Sequence, residues 1–437
     1  MTWKEYYSKR SITAEEAVRH IKSGDRVVIS HATAEPIILL NAMANRKYHI
    51  KDVETVHMVG MGESLYARQD MQGTFRHTSL FVGGPERGAI YEGRADFIPV
   101  YFSNIPGLFL DDYLPVDVAL LTVSPPDKHG YVSLGISVDY GVAAVKKGKT
   151  VIAQVNRYCP RTHGESFVHV SEIDYFVEHD APLIPLAPGA ITPVEETIGS
   201  YCASLVEDGA TLQLGIGSLP DAVLKFLTDK NDLWVHSEMI SDGVMNLMLS
   251  GNINNRVKTL HTNKTVVTFL MGTQELYDFV DDNPSFYLAP ANYTNDPCVI
   301  AQNDNMVSIN SCVEVDLMGQ VNAESIGLKQ ISGVGGQVDF VRGANMSKGG
   351  KAIIAMPSTA KGGKASRIVP FLQQGAAVTT SRCDVGYIVT EYGIADLRNV
   401  TLRERAKRLI RIAHPSFKET LAEEFEKRFC MPYLEQN

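Results

Sequence analysis

"GDRVVISHATAEPIILLNAMANR", Gly24 to Arg46, places an apolar run, a short polar turn and a second apolar pattern in that order. Val27 to Ile29 has the β-branched content of a buried strand. Pro36 stands where a helix can begin, because the first helical position does not need the N–H that proline lacks. Behind Pro36 the apolar residues recur at helical spacing. The stretch therefore reads as strand, turn and helix, the unit from which parallel sheets are wound. A second stretch, "DGATLQLGIGSLPDAVLKFLTDK" from Asp208 to Lys230, repeats it, with the strand at Leu212 to Leu214 and Pro220 in the place of Pro36.

The parallel extends further. "ETVHM" around His57 is matched by "DLWVHSEM" around His236, and "GKTVIAQVN" from Gly148 by "GKAIIAMPS" from Gly350. "YFVE", Tyr175 to Glu178, is matched by "YIVTE", Tyr387 to Glu391. Pieces that match and keep their order point to an internal duplication. The expected fold is α/β, with two related open α/β domains, residues 1–190 and 191–437. The link between them is "DAPLIPLAPGAITPVEE", whose prolines favour an extended, helix-poor connection. The second domain opens on a helix signal: Thr192 as cap, Pro193 at the first helical position and acids in the first turn. Beyond Thr401 the chain reads as two amphipathic helices broken at His414-Pro415.

Composition narrows the function. The 437 residues carry 50 acids against 41 basic residues, a formal charge of -9, so there is no general attraction for nucleic acid or an anionic membrane. The start, "MTWKEYYSKRSITAEEAV", has no apolar core of signal-peptide length, which gives a cytoplasmic expectation. Cys159, Cys202, Cys298, Cys312, Cys383 and Cys430 form no CxxC pair and read mostly as buried, reduced thiols. The histidines have no recognised metal spacing, and no metal site is expected. There is neither a GxSxG elbow nor a GxxxxGK[ST] phosphate loop.

Three stretches could carry chemistry. In "LGIGSLPDA", Leu214 to Ala222, glycines between a strand and a helix let the backbone approach an anionic ligand, although a plain tight turn reads equally well. Pro220 stands where a dinucleotide fingerprint needs its third glycine, which weakens a nicotinamide-binding oxidoreductase reading. In "QISGVGGQVDFVRGA", Gln330 to Ala344, Gly333, Gly335 and Gly336 could form an N–H nest for an oxyanion or simply a turn. In "HSEMISDG", His236 to Gly243, Glu238 follows the apolar run "DLWVHS", which reads as a buried strand. A carboxylate at the end of a parallel strand, walled by Trp234, Met239 and Ile240, would be poorly solvated and a stronger nucleophile or base. The plain alternative is a helix cap, and Asp242 is the rival acid in the same turn.

Taken together, these stretches resemble the acetyl-CoA hydrolase/transferase family of coenzyme A transferases, over essentially the whole chain. "HSEMISDGV" resembles the segment with the family's catalytic glutamate, which implies that Glu238 forms a glutamyl-CoA thioester. "LGIGSLPDAV" is similar to the CoA-contacting turn and implies Gly215, Ile216, Gly217, Ser218 and Leu219. "SGVGGQVDFVRGA" is similar to the oxyanion and CoA loop and implies Gly335 and Gly336; "INSCVEVD" implies Val313 as a CoA contact. "YTNDP" resembles the family's Asn-x-Pro segment and implies that Asn295 holds substrate oxygens, with Asp296 where many relatives have His. The resemblance implies an active site between the two domains and transfer of CoA between a short-chain acyl-CoA and a carboxylate, acetate with 4-hydroxybutyrate or butyrate. Coenzyme A is then substrate and covalent intermediate, with no permanently bound cofactor, and a homo-oligomer is expected. An acyl-CoA hydrolase using the same glutamate is the alternative.

Overall fold

The computed structural model describes residues 1–434. The chain forms two compact units, one of residues Met1–Ala187 with Lys264–Thr294, the other of Pro188–Asn263 with Asn295 onward. A single division of the chain near residue 190 therefore leaves out one feature: residues 264–294 fold with the first unit. Strand Thr265–Val267 pairs with Phe286–Leu288, and Leu288 exchanges backbone hydrogen bonds with His163 and Glu165. Such long-range pairing leaves no mark on local periodicity.

The first unit is built on seven parallel strands: β1 Arg26–Ile29, β2 Val53–His57, β3 Phe75–Ser79, β4 Ala95–Phe97, β5 Val118–Val123, β6 Thr150–Val155 and β7 Tyr175–Glu178. Their order is β4-β3-β2-β1-β5-β6-β7. All six residues of β5 are buried, as expected for a central strand covered on both faces. The helix expected after Pro36 runs Ile37–Ala44 and packs Leu39, Leu40 and Met43 into the core with Val27, Ile29 and Leu120.

The second unit holds β8 Thr211–Leu214, β9 Trp234–Val235, β10 Met306–Ser311, β11 Lys351–Ala355, β12 Tyr387–Thr390 and β13 Gly393–Asp396, in the order β9-β8-β10-β11-β12-β13. All pairs are parallel except the final β12–β13 hairpin. The stretches matched by sequence occupy matched places: β2-β1-β5-β6-β7 in one sheet runs as β9-β8-β10-β11-β12 in the other. β9 is much shorter than "DLWVHS" suggests, and it lies at the sheet's edge.

Helix Pro193–Ser204 begins as its sequence signals predict. Thr192 accepts from Glu195 N, Glu195 returns a carboxylate oxygen to Thr192 N, and Pro193 fills the first helical position. The C-terminal helices run Leu402–Arg411 and Pro415–Phe429, burying Leu409, Ile410, Leu421 and Phe425 in one core. Among the described residues no helix is long and apolar enough to cross a membrane. The thiols differ from expectation: Cys159, Cys202 and Cys312 are buried, whereas Cys298, Cys383 and Cys430 are exposed. Burial pushes each of the three buried thiols up to about 12, which leaves them inert.

Candidate active site

In a parallel sheet every strand presents its carboxyl end to the same edge. In the second unit that edge receives the turn after Leu214, the turn after Val235 and the residues after Ser311. Gly215 to Leu219, Glu238 and Val313 are thereby brought to one side of one sheet. Residues far apart in sequence meet there because strand order, not chain order, sets their spacing.

Glu238 lies just beyond β9 in a half-buried position, with Trp234, Met239 and Ile240 buried around it in the chain. Asn295 is fully buried, and its Nδ2 donates to Glu238 Oε2 at 2.8 Å. Gly336 completes the group: a Cβ built on it would lie 1.9 Å from Glu238 Oε2 and 2.3 Å from Asn295 Nδ2. Any side chain there would occupy the space that the carboxylate and amide now share. Gly336 also caps helix Gln337–Met346, whose N-terminal dipole favours a negative charge nearby. Gly335 makes the turn that leads into this cap.

Asp242, the rival acid, is placed differently. It is the first residue of helix Asp242–Leu249, buried at the position where a helix favours an acid. It lies near Asp221, whose carboxyl is pushed up first by burial and further by the Asp242 charge. Asp296 also has a structural task, accepting from Cys298 N at 2.7 Å to cap helix Pro297–Ile300.

The turn Gly215–Leu219 follows β8 directly. Helix Ser218–Lys225 starts earlier than Pro220 indicates, and Pro220 sits in its first turn, where a missing N–H costs nothing. Gly217 caps it at φ 109°, a conformation that side chains rarely adopt. Nothing stands within 4 Å of a Cβ placed on Gly215 or Gly217, so the turn faces open space. Ile216 is exposed, Leu219 is buried, and the Ser218 hydroxyl donates to Glu195 Oε1. Val313 donates its N–H to Asn322 O at 2.8 Å, beside the buried Cys312. The cluster of Glu238, Asn295 and Gly336 is the arrangement with chemical reach: a carboxylate, a fixed N–H donor on one of its oxygens and a glycine surface that leaves room for both.

Two residues absent from the sequence reading bond to the strand before Glu238. Asn255 Oδ1 accepts from Val235 N at 2.9 Å, and Lys258 Nζ donates to Val235 O at 2.6 Å. "NINNRVK" reads as a solvated loop, and nothing in it signals a buried lysine.

Comparison with known proteins places the chain in a family. Residues 1–188 match the acetyl-CoA hydrolase/transferase N-terminal domain, and residues 272–425 match the acetyl-CoA hydrolase/transferase C-terminal domain. The chain is 60% identical to the 4-hydroxybutyrate coenzyme A transferase of Clostridium kluyveri, over 98% of this chain and 100% of that one. It is 39% identical to the butyryl-CoA:acetate CoA-transferase of Anaerostipes caccae, over 98% of each. The crystal structure of 4-hydroxybutyrate CoA-transferase from Porphyromonas gingivalis superposes with a TM-score of 0.85 at 42% identity, covering 98% of this chain and 100% of that one. With both domains matched in order and relatives of this kind along its whole length, the chain belongs to the acetyl-CoA hydrolase/transferase family, as one of its CoA-transferases.

Proposed function

We propose that the enzyme moves CoA between a short-chain acyl-CoA and a free carboxylate, with Glu238 carrying CoA as a thioester between the two halves of the reaction. Acetate is one acid, and 4-hydroxybutyrate or butyrate is the other, as the names of its relatives suggest. The observation that carries the reading is the convergence of Asn295 and Gly336 on the Glu238 carboxylate.

Glu238 Oε1 attacks the thioester carbonyl, the C–S bond breaks, and CoA leaves as thiolate, so that a mixed anhydride of Glu238 and the donor acid remains. The thiolate then attacks the glutamyl carbonyl carbon and expels the donor carboxylate, leaving CoA on Glu238. An acceptor carboxylate retraces both steps. One carboxylate enters and one leaves, so the cycle needs no net proton transfer and no ATP. When the glutamyl carbon becomes tetrahedral, charge develops on Oε2, the oxygen that Asn295 already holds. Open space beside Gly215 and Gly217 lets the anionic CoA approach the backbone of this turn closely.

Incubation with butyryl-CoA in carboxylate-free buffer tests the reading by intact mass and peptide mapping. A CoA adduct on the peptide containing Glu238, discharged by acetate, is expected. Consumption of butyryl-CoA with no adduct would indicate hydrolysis instead. Asn295→Ala is expected to lower kcat by about 10²–10³-fold, the usual loss for one oxyanion donor, with KM for acyl-CoA little changed. Steady-state kinetics would show the split, and an unchanged kcat would remove Asn295 from the mechanism.

A further inference from the structure

β9 is two residues long and has a neighbouring strand on one side only. Toward β8 the bonds are regular: Trp234 N donates to Ala210 O at 2.9 Å and His236 N to Leu212 O at 3.2 Å. In a parallel pair the intervening residue turns both its backbone groups the other way. Val235 therefore presents an N–H and a C=O to the sheet's open edge, three positions before Glu238.

In the first unit the matched strand β2 has β3 on that side, with Val56 opposite Thr78. The second unit has a loop there. Leu233 N donates to Asn252 O at 2.9 Å and Asn254 N to Leu233 O at 3.1 Å, as a strand would begin. At Val235 side chains replace the strand, the Asn255 carboxamide oxygen taking the N–H and the Lys258 amine the carbonyl. Both residues are buried, Asn255 2% and Lys258 3% exposed. Burial pushes Lys258 well below the usual lysine range.

We infer that Lys258 and Asn255 are positioning residues for Glu238: by bracketing Val235 in place of a missing strand, they set where the turn His236-Ser237-Glu238 leaves the sheet. The inference rests on the reading of Glu238 as the nucleophile. A solvated lysine would hold a strand edge weakly, since water competes for the same carbonyl. A buried one holds it in one place, and a misplacement of about 1 Å at a reacting atom can cost about 10²-fold in rate.

The test is rapid-quench measurement of Glu238 thioester formation from butyryl-CoA, read by intact mass as rate constant and final amplitude. Lys258→Met keeps the apolar stem and removes the donor. The expected result is a rate constant lowered by about 10–100-fold with the parent amplitude and near-parent KM. A purely structural lysine would instead lower the amplitude, through loss of folded enzyme, and leave the rate constant of the remainder unchanged; that result overturns the inference. Should Lys258→Met fail to fold, Asn255 decides. Asn255→Gly, which tolerates the left-handed backbone at φ 54° but lacks the acceptor, should be slow, and Asn255→Asp, which restores an acceptor, should recover much of the rate. Equal parent rates in both would also overturn it. If the parent enzyme forms no adduct on Glu238, the nucleophile reading fails first, independently of Lys258.

Discussion

Glu238→Gln is expected to abolish transfer, with a rate loss on the order of 10⁴–10⁶-fold, as for other enzymes stripped of a covalent nucleophile. The change is nearly isosteric. A Gln carbonyl oxygen can still accept from Asn295 Nδ2, so the surroundings of the buried amide are kept. What is lost is the second carboxylate oxygen, replaced by an amide nitrogen whose lone pair is delocalised and which cannot form the mixed anhydride. Intact mass after incubation with butyryl-CoA should show no adduct, while the thermal midpoint stays near that of the parent. Transfer within about tenfold of the parent, a cost of only about 1.4 kcal/mol in the barrier, would exclude Glu238 as nucleophile.

The second large effect is expected from Gly336→Ala. The added methyl would sit 1.9 Å from Glu238 Oε2 and 2.3 Å from Asn295 Nδ2, far inside van der Waals contact. Both atoms belong to side chains, so the cheapest relief is rotation of the carboxylate and the amide rather than disruption of the sheet. Gly336 is a helix cap with φ -94°, which alanine adopts without backbone strain. The variant should therefore fold, with a thermal midpoint lowered by no more than about 2–4 °C, while kcat falls by about 10³-fold because nucleophile and donor are both displaced. Circular dichroism melting and single-turnover adduct formation separate the two effects. A variant that forms the Glu238 adduct at the parent rate would show that the carboxylate does not react from its observed place.

Much of the second unit's site lay open in the sequence for reasons that are local. The run through Leu214, the glycine-rich turn and Pro220 follow strand and helix-start rules that act over a few residues, and the capping box of Thr192 and Glu195 does the same. Glu238 stood out because an acid after an apolar run is unusual wherever it occurs. Asn295 was visible only through its resemblance to a family segment; its contact with Glu238 spans 57 residues of chain. Lys258 was invisible, because its sequence neighbours Asn254, Asn255 and Arg256 are those of a solvated loop and its burial comes from the strand it covers.

The sequence by itself determined the α/β units, the helix start at Thr192 and Pro193, the repeated pattern in the two halves and the two candidate acids, Glu238 and Asp242. Those depend on side-chain periodicity and on capping groups within one helical turn. Only the tertiary structure decided that Asn295 and Gly336 meet Glu238, that residues 264–294 fold with the first unit and that Lys258 and Asn255 stand in for a missing strand. The order of strands in a parallel sheet is set by long-range pairing, and that order chooses which loops share an edge.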